Sequence, residues 1–166
     1  CWKHNQLNDH SAMMHMKIRN YNPSDKDKII TLLRLNTPQF FSPAEEADLL
    51  EYLGQHATDY YVATEDNNIL GCGGINLTPD GTTARISWDI VHPNYQGKGI
   101  GSALTKFRLQ KIKEMEGIKT IAVRTSQMAY QYYAKFGFTL KEIIKDYWAD
   151  GFDLYSMECT VDSTKY

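Results

Sequence analysis

The stretch Val91-His92-Pro93-Asn94-Tyr95-Gln96-Gly97-Lys98-Gly99-Ile100-Gly101-Ser102 joins a predicted strand to a predicted helix. Residues 84–91 carry the β-branched and apolar side chains typical of a strand, and residues 103–115 have helical character. The turn therefore lies at a helix N-terminus, where unpaired backbone N–H groups and the helix dipole attract an anion. Its glycines let the backbone approach that anion closely. The stretch predicts a phosphate-binding turn.

Motif spacing narrows the choice of phosphate ligand. A P-loop requires Gly-Lys followed by Ser or Thr, whereas the Gly-Lys pair at 97–98 is followed by Gly99. A dinucleotide fingerprint requires Gly-x-Gly-x-x-Gly, and Ser102 stands at the place of its third glycine. A third pattern, Gln/Arg-x-x-Gly-x-Gly/Ala, is satisfied by Gln96, Gly99 and Gly101.

Together with the preceding Val-His-Pro, this third pattern resembles the acetyl-coenzyme A signature of the GNAT superfamily of N-acetyltransferases. A second block, residues 126–138, reads Ser-Gln-Met-Ala-Tyr-Gln-Tyr-Tyr-Ala-Lys-Phe-Gly-Phe and resembles the family's later segment Asn-x-x-Ala-x-x-x-Tyr-x-x-x-Gly-Phe. The order and separation of the two blocks match the family, and the resemblance extends over residues 16–159. Ser126 departs from it, because many members have Asn there to contact the pantetheine arm.

The length and charge of the chain bound its organisation. At 166 residues it accommodates one domain, expected over residues 16–166, with residues 1–15 as an N-terminal extension outside the fold. The net charge of −2 and the dispersed basic residues argue against a nucleic-acid partner. A mild basic cluster on one helix is interpreted as a solvated face; it consists of Lys106, Arg108, Lys111 and Lys113.

The cysteines and the hydropathy of the chain indicate the cellular environment in which the protein is expected to work. Cys1, Cys72 and Cys159 are odd in number and widely spaced, which argues against a disulfide framework and against a metal site. No apolar stretch reaches membrane-spanning length, so we expect a soluble, cytoplasmic protein without membrane contact. The exposed edge of the last strands leaves a homodimer open.

The element order is strand, two helices, three strands, helix, strand, helix, two strands, which predicts an α/β fold with a mixed twisted sheet of six to seven strands and about four helices. We expect the second helix to pack through Ala47, Leu50 and Leu53, the third helix to close at Gly117, and the fourth to span residues 128–136. This order is similar to that of GNAT proteins, in which the strands ending here at Val91 and Arg124 splay apart around the cofactor.

The resemblance implies a set of cofactor contacts and no metal. The main chain of Ile90 and Val91 pairs with pantetheine, and the anion turn holds the pyrophosphate. The residues implied to bind acetyl-coenzyme A are Ile90, Val91, Gln96, Gly97, Lys98, Gly99, Ile100, Gly101, Ser102, Ser126 and Ala129.

Two side chains are candidates for the chemistry of acetyl transfer, which needs a proton acceptor for the amine and a proton donor for the departing thiolate. Tyr133 shares a helix face with Ser126 and Ala129 and is the candidate donor; the alternative is a core aromatic. Asp89 is the candidate acceptor, directly or through water, or the group that holds an ammonium substrate; the alternatives are an ion pair with Arg85 or Arg124, or a hydrogen bond to a loop. Strand alternation places Arg85, Ser87, Asp89 and Val91 on one face and Ile86, Trp88 and Ile90 on the other.

Aromatic residues predict where the acceptor binds. In the family the acceptor lies between the first helix–helix loop and the last strand–strand loop, where we expect Phe40 and Phe41 to meet Tyr147 and Trp148, with Trp88 nearby. The alternative is that these rings only close the end of the sheet. The sequence thus predicts an acetyl-coenzyme A-dependent N-acetyltransferase acting on a primary amine by direct attack. An acceptor that is a protein N-terminus or lysine, and a non-catalytic acyl-coenzyme A-binding module, stay open.

Overall fold

The computed structural model describes residues 15–164, and within that range seven strands form a single sheet. The predicted extension at residues 1–15 lies outside the described residues except for His15. The strands are β1 (Lys17–Asn20), β2 (Asp59–Glu65), β3 (Asn68–Leu77), β4 (Thr83–Val91), β5 (Thr120–Thr125), β6 (Thr139–Ala149) and β7 (Phe152–Thr160). The α-helices are α1 (Lys26–Leu35), α2 (Glu45–Gln55), α3 (Ile100–Lys113) and α4 (Tyr130–Ala134).

The sheet runs in the order β1-β2-β3-β4-β5-β7-β6. All neighbours are antiparallel except β4 and β5, which are parallel. Helices α1 and α2 cover one face of the sheet and α3 and α4 the other, so that each face has its own hydrophobic core. The predicted α/β class, the strand count and the element order are confirmed.

Three helix predictions are wrong in detail. Of the residues predicted to pack helix α2, Leu53 is buried, but Ala47 and Leu50 are exposed, and Leu49 and Tyr52 complete the buried face instead. Helix α3 starts at Ile100 rather than at 103 and ends at Lys113, so that Gly117 lies beyond its cap at Glu114. Helix α4 spans only five residues; Ser126 and Ala129 therefore belong to the turn that leads into it.

A β-bulge in β4 overturns the predicted alternation of its side chains. The β3–β4 register shifts between Cys72 and Gly74, and Trp88 adopts a φ of 51°, which places two residues of β4 opposite one of β3. As a result Ile86 and Val91 pack on the α3 side, while Trp88 and Ile90 pack on the α1–α2 side. The bulge directs the Asp89 carboxylate toward α3, where it meets Arg108.

The strands β4 and β5 separate at the centre of the sheet. Their parallel pairing covers only Thr83–Ile86 of β4 and Thr120–Val123 of β5. Beyond these residues both strands continue, to Val91 and Thr125, without pairing with each other. The predicted gap between the two strand ends is therefore present.

Candidate active site

A cleft of about 990 Å³ occupies the gap between β4 and β5. Most residues proposed from the sequence line it, while Lys98, Ile100 and Tyr147 do not. The lining residues predicted from sequence are Phe40, Phe41, Trp88, Asp89, Ile90, Val91, Gln96, Gly97, Gly99, Gly101, Ser102, Ser126, Ala129, Tyr133 and Trp148. The fold thus brings the residues predicted to bind the cofactor, to take part in the chemistry and to bind the acceptor amine to one cleft.

The glycine turn presents backbone N–H groups to this cleft. Gly97 and Gly99 have φ values of 75° and 90°, a region that non-glycine residues adopt with strain. Gly99 caps α3, so the N–H groups that follow have no acceptor within the helix. A Cβ on Gly101 would lie 3.2 Å from the Tyr132 hydroxyl. The side chain of Ile100 is buried in the core, so this residue can contribute only its main chain. This turn fits a pyrophosphate.

Asn36 anchors the turn to the end of β4. Its amide nitrogen donates to the carbonyl oxygens of Leu32 at 2.9 Å and Val91 at 3.1 Å, and its amide oxygen accepts from Gln96 at 3.2 Å. Gln96 therefore already has a side-chain partner. Asn36 is a site residue that was not predicted from sequence; it caps the C-terminus of α1, and an Asn directly after a helical segment is typical of such a cap.

The main chain of Val91 faces the gap. The N–H of His92 donates to Leu70 on β3 at 2.8 Å, and main-chain groups along an antiparallel strand alternate in direction. The preceding residue, Val91, therefore directs its N–H away from β3. An extended ligand chain in the gap can pair with this group as an added strand would.

Three ionisable side chains meet at the centre of the cleft. Asp89 accepts a hydrogen bond from the Tyr133 hydroxyl at Oδ2 and one from the Arg108 guanidinium at Oδ1. Burial raises the pKa of Tyr133 well above its ordinary value, and the neighbouring Asp89 carboxylate raises it further. Burial lowers the pKa of Arg108, but Asp89 outweighs this and the net shift is upward. Tyr133 is thus a protonated phenol beside a carboxylate.

The buried position of Arg108 corrects two predictions. The side chain is only 1% exposed, so it does not belong to a solvated basic face, and it replaces Arg85 and Arg124 as the ion-pair partner of Asp89. The spacing contains the missed signal, since Arg108 follows Ile100 and Leu104 in steps of four and precedes Ile112 by four. A side chain at that phase lies on the buried face of the helix.

A second tyrosine, Tyr132, also lines the cleft. Its hydroxyl lies 3.1 Å from the hydroxyl of Thr105.

The turn before α4 is closed by Ser126, whose carbonyl accepts from the N–H groups of Ala129 and Tyr130 at 3.1 Å each. The hydroxyl of Ser126 accepts from Met128 at 3.3 Å.

Two separate aromatic groups form the predicted acceptor walls. Phe41 stacks on Trp88, with ring centroids 6.2 Å apart, whereas Tyr147 contacts Trp148 edge to face at 5.0 Å. Among the described residues, neither Phe40 nor Phe41 forms a ring contact with Tyr147 or Trp148, so the expected meeting does not occur. Phe40, Phe41 and Trp148 instead line the same cleft.

Side-chain hydrogen bonds hold the β6–β7 hairpin against the end of β5 and the turn that follows it. The guanidinium of Arg124 donates to the Tyr147 hydroxyl at 2.6 Å and lies 5.7 Å from the Trp148 ring. The Trp148 indole N–H donates to Thr125 at 3.1 Å. Gln127 donates to the Gly151 carbonyl at 2.6 Å. These contacts fix the position of the end of β6, which carries Tyr147 and Trp148, and of the turn that follows it.

Glu45, also missed from the sequence, places a buried carboxyl group on the cleft. It is 7% exposed and accepts a hydrogen bond from the Ser42 N–H at 2.7 Å. Burial raises the pKa of this carboxyl group.

Within residues 15–164 no cluster of three His, Cys, Asp or Glu side chains could hold a metal ion, and no helix has the length and apolar character to cross a membrane.

Comparisons with known proteins agree with this geometry. A family model described as the acetyltransferase (GNAT) family matches residues 27–138. The chain is 29% identical over 158 residues to an N-alpha-acetyltransferase of Sulfurisphaera tokodaii, with 85% of this chain and 90% of that protein covered.

Solved structures share the fold. An Ard1 from Thermoplasma volcanium superimposes with a TM-score of 0.74 at 20% identity, over 88% of this chain and 97% of that one. An aminoglycoside 6'-N-acetyltransferase complexed with coenzyme A superimposes with a TM-score of 0.71 at 17% identity, over 87% of this chain and 97% of that one.

Proposed function

This chain belongs to the GNAT acetyltransferase family, and on that premise we propose that it uses acetyl-coenzyme A to acetylate the α-amino group of a peptide or protein. The observation that carries the proposal is the continuity of the cleft. One cavity is lined by the glycine turn, by Asp89 and Tyr133, and by the aromatic walls at Trp88 and Trp148. An acetyl-coenzyme A molecule and an amine that both bind in this cavity lie close enough to react.

The α-amino acceptor is favoured over other amines by the relatives. The curated relatives are N-alpha-acetyltransferases, and they match this chain over most of both lengths. The walls also suit a peptide, since the Phe41–Trp88 stack joins the loop before α2 to β4, whereas Trp148 lies at the end of β6. They offer apolar surface for the first side chains of an acceptor with a hydrophobic body.

Each role in the reaction has a candidate group in this chain. Acetyl-coenzyme A, when bound, supplies the acetyl group as a thioester. The N–H groups after Gly99 hold the pyrophosphate, and the Val91 N–H holds the pantetheine chain or polarises the thioester carbonyl. Asp89 accepts the proton of the amine, and Tyr133, whose raised pKa keeps it protonated, gives a proton to the leaving sulfur.

A thiol-release assay with paired peptides tests the acceptor. One peptide has a free N-terminus and a blocked lysine, and its partner of the same sequence has a blocked N-terminus and a free lysine; polyamines, amino acids and an aminoglycoside complete the panel. We expect coenzyme A release with the first peptide, and mass spectrometry should find the acetyl group on its α-nitrogen. Turnover of only the second peptide, or of only the small amines, would show that the acceptor is a different amine.

A further inference from the structure

We propose that Arg108 is a positioning residue that holds the Asp89 carboxylate against the Tyr133 hydroxyl, so that the base and the acid of the transfer exchange a proton directly. The inference rests on the proposed function, because it concerns the proton path of that reaction. It assigns a role to a charged side chain that is only 1% exposed.

The two oxygens of Asp89 have different partners. Oδ1 accepts from the Arg108 guanidinium and Oδ2 accepts from the Tyr133 hydroxyl. The Asp89 side chain remains 20% exposed, and all three residues line the cleft. The carboxylate is therefore open to a substrate proton while it is bonded to the proton donor.

The guanidinium is fixed in place by more than its ion pair. Arg108 donates from Nε to the Leu104 carbonyl at 3.1 Å and from Nη1 to the Gly74 carbonyl at 3.2 Å. A Cβ at Gly73 would lie 2.7 Å from Arg108 Nη1 and 2.7 Å from Asp89 Oδ1, so the strand approaches the pair as closely as glycine permits. The position of Asp89 is thus set by a buried, hydrogen-bonded charge.

The proton balance closes within this pair. The amine nitrogen forms a bond to the acetyl carbon and the carbon–sulfur bond breaks, with the electron pair of that bond leaving on sulfur. Asp89 takes one proton from the nitrogen, Tyr133 gives its proton to the sulfur, and Asp89 returns the first proton to Tyr133 through their hydrogen bond. At the end both side chains have their starting protonation, and no proton has been exchanged with water.

The split between kcat and KM separates a positioning role from a packing role. Arg108 donates to Oδ1 of Asp89 while Tyr133 donates to Oδ2, so the loss of its guanidinium affects the placement of the reacting carboxylate. An arginine that served only to fill the core would affect the stability of the fold, and its loss would not act on kcat alone.

The test compares Arg108→Gln, Arg108→Lys and wild type, with Lys111→Gln as the control that removes the same charge from an exposed position of α3. For Arg108→Gln we expect kcat to fall about 10²-fold, with the KM for acetyl-coenzyme A unchanged, because the position of Asp89 is lost while the cofactor contacts stay. Arg108→Lys, which keeps a cation beside Asp89, should restore part of that kcat. A kcat loss that Arg108→Lys does not restore at equal folded fraction, or a loss accompanied by an equal rise in KM, would overturn the proposal.

A measurement on the wild-type enzyme keeps the test valid if Arg108→Gln does not fold. The single-turnover rate is measured across mixtures of H₂O and D₂O; a bowed dependence, which means that two protons move in the rate-determining step, is expected, and a linear one would overturn the direct exchange. Wild-type turnover is also the check on the premise, since absence of coenzyme A release with every amine refutes the proposed function itself.

Discussion

Gly73→Ala is the substitution that probes the centre of the cleft most directly. The added methyl group would lie 2.7 Å from Arg108 Nη1, 2.7 Å from Asp89 Oδ1 and 2.8 Å from Arg108 Cζ. Since carbon needs about 3.5 Å from a neighbouring heavy atom, the ion pair must shift by several tenths of an ångström. The charges of both partners stay in place while their geometry changes.

The expected cost follows from that displacement. Overpacking of a filled core costs about 1–3 kcal/mol, and each kcal/mol lowers the Tm of a chain of this size by about 2–4 °C. A shift of the reacting groups by about 1 Å costs up to about 10²-fold in rate. We therefore expect a Tm several degrees lower and a kcat reduced by at least tenfold at a temperature where the variant is folded.

Gly74→Ala provides the matched control. Its Cβ would lie 2.6 Å from the Tyr52 hydroxyl and 2.6 Å from Tyr60 Cδ1, a clash of similar size on the α1–α2 face of the sheet, and the substitution keeps the Gly74 carbonyl that accepts from Arg108. Differential scanning fluorimetry gives the two stabilities and the thiol-release assay gives the two rates. If Gly73→Ala loses no more activity than Gly74→Ala at equal folded fraction, the geometry of the Arg108–Asp89 pair is not what limits the reaction.

Three further predictions address other parts of the site. Tyr133→Phe removes the proton donor without changing the ring, so kcat should fall about 10²-fold while acetyl-coenzyme A still raises the Tm; a wild-type kcat would exclude Tyr133 as the acid. Gly99→Ala places a Cβ at a φ of 90°, which costs about 1 kcal/mol or more, and the Tm rise that acetyl-coenzyme A produces should shrink; an equal rise would remove the turn from the donor site. Glu45→Gln keeps an acceptor for the Ser42 N–H. Burial raises the pKa of Glu45 in the folded chain, so folding becomes less favourable as the pH rises from the pKa of this carboxyl group in the unfolded chain through its pKa in the folded chain. Glu45→Gln should therefore have a higher Tm than wild type at pH values above the folded-state pKa, and no higher Tm at pH 4. A constant difference across pH would contradict this assignment.

The fold and the donor side of the site could be predicted because their signals are local. The glycine turn, the strand before it and the helix after it lie within one continuous segment from Thr83 to Lys113, and each obeys short-range rules of backbone conformation and periodicity. The same holds for the Asp66-Asn67 turn between β2 and β3, where both residues have positive φ. Such elements form from neighbours in sequence.

The centre of the site could not be predicted, because it depends on contacts between distant segments. The bulge at Trp88 is a property of two paired strands, and it reverses the face of every side chain after it. Arg108 and Asp89 are 19 residues apart and Tyr133 and Asp89 are 44 apart. The sequence indicated Asp89 and Tyr133 separately, but no local pattern shows that their side chains are hydrogen-bonded to each other.

The long outer strand β6 bears on self-association. It lies at the edge of the sheet and exposes Ile143 and Ile144, which makes it a surface on which a second chain could add a strand. Two-fold antiparallel pairing requires a residue to lie opposite its own copy. When the axis passes through Ile143, Lys141 lies opposite Lys145; when it passes through Ile144, Glu142 lies opposite Asp146. Like charges opposite each other are destabilising, so the charges along this strand disfavour both of these self-paired registers.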